Sequence, residues 1–427
     1  MSPVAGTRLG RYERCVWSSV GALFLCASIA HAQTTEVVPK VRSDSLSALA
    51  DTTGVPQRDI SDVISKVLGK EDRIKAEATM QPTPGLALVI LPTIGYNPAY
   101  GAYIGLSGSA NGWLGEPAHT RVSVFALSFT YSTSQQTSLQ FKSDAWVPGN
   151  KWNYKGDWRY LDTSQPTYGL GPLSEQTTGK YPMNFVMWRL YQTAYVRMGP
   201  NIYFGPGYHL NIHDHIEDER ANAGEQTPFT IYSEGPVDRT VSSGLSANVL
   251  IDSRDSPIYA TKGFQWNASL RGYVTTLGSD KNWQELLSDF RAYPRMPTGP
   301  QDVLAIWNTL WMTFGPAPYL DTPAVGWDTF GKSARGYVQG RLRAPNQMYT
   351  ELEYRKVLSK DGLWGATVFL NGTSSTMDSG TLSKFDPGAG VGLRIKFIKR
   401  TRTNFTLDFG WGNSASSGVY FGTGEYF

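Results

Sequence analysis

From Pro82 to the end of the chain, apolar and polar residues alternate with a period of two. Val122-Ser123-Val124-Phe125-Ala126-Leu127-Ser128-Phe129, Ser138-Leu139-Gln140-Phe141-Lys142-Ser143 and Asn404-Phe405-Thr406-Leu407-Asp408-Phe409 are clear cases. Successive side chains of a strand point to opposite faces, so this pattern predicts strands with one polar and one apolar side. Sixteen such segments are expected, centred near 90, 106, 126, 141, 157, 190, 207, 247, 268, 288, 307, 352, 367, 392, 407 and 422. A strand with its connection then takes about 22 residues, which suits membrane-crossing strands of about 9 to 11 residues.

The connections alternate in length. Pro148-Gly149-Asn150, Gly199-Pro200, Ser359-Lys360-Asp361-Gly362 and Lys399-Arg400 are short, and between them lie long stretches at 163–183, 214–241, 314–346 and 372–386. Short turns on one rim, long loops on the other and an even strand number are the rules of outer-membrane barrels. The expected fold is therefore all-β, a 16-stranded antiparallel transmembrane β-barrel over residues 82–427. The terminal Glu425-Tyr426-Phe427 is expected to close the last strand with an aromatic. A soluble sandwich or propeller leaves the alternating loop lengths unexplained, and no fixed-period repeat marks a propeller.

A different periodicity precedes the barrel. Ile60, Val63, Ile64, Val67 and Leu68 form one helical stripe ended by Gly69, which predicts a short amphipathic helix over about 58–69. Its apolar stripe is expected to cover the near end of the barrel, or else to dock a partner. It lies within a polar periplasmic leader, residues 33–81. Residues 1–32 read as a cleaved signal peptide, with Arg8, Arg11 and Arg14, the apolar run Val16 to Ile29, and Ala30-His31-Ala32 before the cleavage point. Export through it predicts the outer membrane of a Gram-negative bacterium.

Composition narrows this further. Both cysteines, Cys15 and Cys26, fall in the signal, so a disulfide scaffold is excluded. Loss of three arginines and Glu13 takes the net charge from +3 to +1, which gives no electrostatic case for nucleic acid. The 13 Trp, 23 Tyr and 18 Phe with 44 Gly fit strands, wet turns and aromatic girdles.

Candidate chemistry is sparse. His209, His213 and His215 share strand parity near Asp214 and Glu217, which makes them the candidate divalent-metal trio, set against a reading as polar lumen residues. No Ser/His/acid set and no phosphate-cradling motif is present, so no enzyme and no cofactor are expected. Lys399, Arg400 and Arg402 are expected to meet phospholipid head groups.

One stretch remains, Ala334-Arg335-Gly336-Tyr337, in the long connection between the eleventh and twelfth strands. It resembles the Val-Arg-Gly-Phe/Tyr signature of the BamA/TamA family of outer-membrane assembly proteins, the bacterial surface antigen superfamily, over about Pro82 to Phe427. Asp252-Ser253-Arg254-Asp255 with Thr261-Lys262-Gly263, and Gly388-Ala389-Gly390-Val391-Gly392-Leu393-Arg394, resemble further family segments. The resemblance implies an inward-folded sixth extracellular loop whose arginine is held by an acid on strand twelve and by a Phe-x-Asp aspartate on strand thirteen. Glu353 and Asn371 occupy those positions, and the asparagine shifts the expected weight of the latch onto Glu353, while still accepting a hydrogen bond from the guanidinium. Arg335, Gly336, Tyr337, Glu353 and Asn371 are thus the expected lumenal latch. The resemblance also implies a weak lateral seam between first and last strands, assigned to Pro92, which lacks a ladder donor, and to Phe427. The function implied is a part in insertion or translocation of outer-membrane proteins, in a monomer whose partners are outer-membrane lipids, nascent outer-membrane proteins and periplasmic factors. Residues 33–81 are too few for a POTRA domain, which sets against this a passive channel or a structural barrel that has lost assembly activity.

Overall fold

The period-two segments fold as sixteen strands, and every expected centre falls inside one. The computed structural model describes residues 57–67, 84–97, 101–171, 179–294, 296, 302–329, 331–377, 385–399, 402–413 and 416–427. The expected signal peptide, most of the expected leader, both cysteines, Leu68 and Arg400 lie outside these. In order the strands are β1 (Gly85–Asn97), β2 (Gly101–Trp113), β3 (Ser123–Ser132), β4 (Thr137–Trp146), β5 (Trp152–Thr167), β6 (Tyr181–Gly199), β7 (Ile202–Asp218) and β8 (Thr240–Asp252). They continue with β9 (Gly263–Tyr273), β10 (Trp283–Tyr293), β11 (Val303–Phe314), β12 (Asn346–Val357), β13 (Trp364–Thr376), β14 (Phe385–Ile398), β15 (Thr403–Gly412) and β16 (Ser417–Thr423). One helix, α1 (Ile60–Val67), precedes them. Each strand pairs with its neighbour in sequence, making one antiparallel sheet in the order β1 to β16.

The sheet is inverted relative to a soluble protein. On β12, Tyr349, Glu351, Glu353 and Arg355 are buried while Leu352 between them is exposed. On β7, Tyr203, His209, Asn211 and His213 are buried, and Ile202 and Phe204 face out. Leu88, Ile90, Ile104, Leu106, Leu127, Phe129, Trp188, Leu270, Leu370, Val419 and Phe421 extend this exposed apolar belt round the sheet. Such a belt would carry a large hydrophobic cost in water, and a hydrocarbon layer removes it, so the strands are membrane-spanning ones. No helix among the described residues is long and apolar enough to cross a membrane.

The sheet curls round the connection between β11 and β12. That loop meets β5 through Arg159, whose Nη2 donates to the Asp328 and Thr329 carbonyls at 3.3 and 2.7 Å. It meets β7 and β8 through Asp321, which accepts from Asn211 Nδ2 at 2.8 Å and Ser242 Oγ at 2.6 Å. On the far side it meets β12, β13, β15 and β16. Strands from opposite ends of the sheet grip one loop, so the loop fills the interior. Among the described residues no ladder joins β1 to β16.

Two expectations are corrected here. The last strand ends at Thr423, and the chain turns inward at Gly424, whose φ of +81° is open to glycine. Phe427 is therefore buried against Trp307, with ring centroids 5.3 Å apart, and its carbonyl accepts from Arg355 Nη2 at 2.8 Å. It does not close the last strand; its ring and carbonyl are held by β11 and β12. Helix α1 also faces the wrong way for the expected cover: Asp62 is buried and Val63, Ile64 and Val67 are exposed.

Candidate functional site: a buried arginine clamp

Backbone conformation sets up the clamp. Ala334 has φ 62° and Gly336 φ 107°, so Arg335 sits between two left-handed residues that swing its side chain away from the loop path. At Gly336 the lack of a side chain is obligatory, because a Cβ would lie 2.6 Å from the Trp411 carbonyl group. The Gly336 N–H donates to the Tyr420 hydroxyl at 2.8 Å, and the Tyr337 hydroxyl donates to the Pro387 carbonyl at 2.6 Å. The motif is thus stitched to β14, β15 and β16.

Arg335 itself is 0% exposed. Its Nη2 donates to both Glu351 and Glu353, and its Nη1 to Asp408 Oδ2 at 2.8 Å. The guanidinium lies over the Phe369 ring at 3.6 Å and the Tyr426 ring at 4.0 Å, so aromatic rings pack on it while Nη1 and Nη2 are paired and Nε has no hydrogen-bond partner among the described residues. Burial by itself would lower the guanidinium's pKa, but Glu351, Glu353 and Asp408 outweigh it and hold the value well above the ordinary one.

The cluster extends toward the end of the chain. Arg355 Nε donates to Glu353 at 2.6 Å, and Arg394 Nη1 to Asp408 at 2.6 Å. Arg394 Nε also donates to Glu425 at 2.8 Å, and Asn404 to the same carboxylate at 2.6 Å. Burial pushes the Glu425 carboxyl up, but Arg394 and Arg355 more than offset this and leave it below its ordinary value. Three arginines and four carboxylates thus form one buried network, and the inward turn at Gly424 supplies its last member.

The expected latch residues fall as follows. Arg335, Gly336, Tyr337 and Glu353 converge. Asn371 is beside them in a role other than the one expected: its Nδ2 donates to the Arg335 carbonyl at 2.9 Å, so it holds the backbone and accepts nothing from the guanidinium. The charge it was expected to leave on Glu353 is shared instead with Glu351 and Asp408. Those two were missed, although parity carried the signal, because Glu351 lies two residues from Glu353 on the same face and Asp408 sits at an inward position of β15. Pro92 is exposed on β1, opposite Leu106 of β2.

The histidine trio does not assemble. His209 and His213 are buried and His215 is 77% exposed at φ 51°, because an irregularity in the β6–β7 register breaks the shared parity. His209 Nε2 pairs with Ser246 Oγ at 2.8 Å. No group of three potential metal ligands is found among the described residues. The basic turn is also engaged within the protein: Lys399 bonds Asp62 at 2.6 Å and Arg402 bonds Asp255 at 3.3 Å.

No protein-family model matches the chain, and no curated protein matches it. Solved structures do. BamA from Haemophilus ducreyi lacking POTRA domains 1-3 is 14% identical with a TM-score of 0.48, over 79% of this chain and 69% of that one. CdiB from Acinetobacter baumannii is 9% identical with a TM-score of 0.49, over 81% and 60%, and CdiB from Escherichia coli 10% identical with a TM-score of 0.48, over 81% and 63%. The chain spans less than two thirds of either CdiB chain.

Proposed function

We propose that the protein is a monomeric outer-membrane barrel, exported by a cleaved signal peptide, that assists the insertion or translocation of outer-membrane proteins at the margin between β1 and β16. One observation carries this reading: every strand is laddered to its neighbours, whereas β1 and β16 share no ladder among the described residues, and β16 offers 7 residues against 13 on β1. An unpaired edge is a template for an incoming strand. The clamp would keep the rest of the sheet in shape while that edge works. A photo-reactive residue in place of Leu88 on β1 or Val419 on β16 should crosslink to nascent outer-membrane proteins in living cells, and depletion should lower a defined set of them. A crosslink pattern indistinguishable from that of a probe at Leu270, far from the margin, would sink the proposal.

A second reading, a passive channel, has its own support. Inward positions on β2 to β4 are less covered than those on β7 to β13: Ala126 is exposed and Ser107, Ser109, Ser128, Ser138 and Gln140 are half-buried. These small hydroxyl and amide side chains would line water beside the loop. Steady single-channel conductance favours this reading, and low, flickering conductance favours the plugged assembly barrel.

A further inference from the structure

Helix α1 meets the barrel with its acidic side. Asp59 and Asp62 are each 4% exposed. Lys399 Nζ donates to Asp62 Oδ1 at 2.6 Å, and the Lys399 N–H to Asp59 Oδ2 at 3.0 Å. The Arg58 N–H donates to the Asp361 carbonyl at 2.9 Å. The helix is thereby pinned across the β12–β13 and β14–β15 turns. Val63, Ile64 and Val67 are left 41%, 52% and 81% exposed. At this spacing they share one face of a helix, and it points away from the barrel.

What lies next to that face decides its occupant. The helix packs at the end of β14, where the outward Phe397 meets Phe405 of β15 at 4.3 Å, and Phe405 stacks with Phe421 of β16 at 6.0 Å. This aromatic cluster forms the edge of the apolar belt, where a membrane interface places its aromatic girdle. Lys66, exposed, flanks the apolar face with positive charge, while the Arg58 guanidinium stays on the barrel side, paired with Asp361 at 3.8 Å.

We propose that α1 is an interfacial anchor: its Val63, Ile64 and Val67 face enters the lipid leaflet beside Phe397 and Phe421, with Lys66 at the head groups. This rests on the reading of the strands as membrane-spanning. A lipid surface is the occupant because the patch continues the belt and because the flanking charge of Lys66 suits anionic head groups, as in helices that lie in the plane of a bilayer. The anchor ties the turn after β14, two strands from the β1/β16 margin, to a fixed depth in the membrane.

The test uses the full chain carrying Cys15→Ser and Cys26→Ser, refolded into vesicles of phosphatidylcholine and phosphatidylglycerol. A nitrobenzoxadiazole probe is placed singly at Val67→Cys, Ile64→Cys, Ser61→Cys or Leu88→Cys, and quenched by lipids brominated along the acyl chain. Probes at Val67 and Ile64 should lose emission about twofold or more, approaching Leu88, while Ser61 on the other side of the helix should lose much less. If Leu88 is quenched and Val67 and Ile64 are not, the anchor is overturned and the membrane reading stands. If the Val67 probe is blue-shifted yet unquenched, a protein or a second copy covers the face, which also overturns the anchor. Absence of quenching at Leu88 itself would mean that the membrane reading fails, and the anchor with it.

Discussion

Arg335→Ala removes a cation bound by three acids, and the surroundings say which acid suffers. Glu353 keeps Arg355 at 2.6 Å, and Asp408 keeps Arg394 at 2.6 Å. Glu351 keeps only the Tyr349 hydroxyl. The variant therefore leaves one fully buried carboxylate without a cation, at a cost of roughly 3–5 kcal/mol. For a barrel of this length that lowers the unfolding midpoint by about 5–10 °C. The shift is read in detergent micelles by heat-modifiable electrophoretic mobility, which separates folded from unfolded barrel. Glu351→Gln removes the stranded charge, so in that background Arg335→Ala should cost about half as much or less. An unchanged midpoint for Arg335→Ala, or strict additivity of the two substitutions, would falsify the clamp as described.

Four further outcomes follow from the same geometry. Asn371→Asp should destabilise the barrel by about 1–3 kcal/mol, because a carboxylate would replace the amide donor that faces the Arg335 carbonyl; a higher unfolding temperature would show that the position wants charge. Gly336→Ala forces a side chain into a left-handed residue 2.6 Å from the Trp411 carbonyl group, so the loop at 315–345 should become protease-sensitive while the strands persist; unaltered protection refutes this. Phe427→Ala empties a buried aromatic site on Trp307 and should cost about 3–5 kcal/mol, measured as a lower denaturation midpoint, whereas an exposed strand-end aromatic would cost far less. Burial, helped by the charges of Arg291 and Arg335, pushes Lys332 down from 10.5 to about 8. The unfolded chain then holds more protons between those values, so stability should rise with pH across that window, and Lys332→Met should flatten the rise.

The strand pattern was legible because period-two alternation is a local property: a membrane-spanning strand must face lipid on one side and the interior on the other, and each segment records both. All sixteen centres could be placed for that reason, as could the long connection carrying Arg335. Which groups meet inside the barrel is not local. Glu351 and Asp408 reach Arg335 from strands 16 and 73 residues away in sequence, and only curling the sheet round the loop brings them to one point. The turn at Gly424, which carries Glu425 and Phe427 inward, depends on cations from β12 and β14 that no terminal tripeptide can report. The parity of His215 was broken by a register irregularity set by the partner strand. The apolar stripe of α1 was visible in the sequence, but the direction it faces was decided by where Lys399 and Asp361 stand, since a buried carboxylate follows its cation and leaves the apolar side outward. Side-chain alternation is written residue by residue, whereas charge pairing in a buried cluster is settled only when distant strands close on the same arginine.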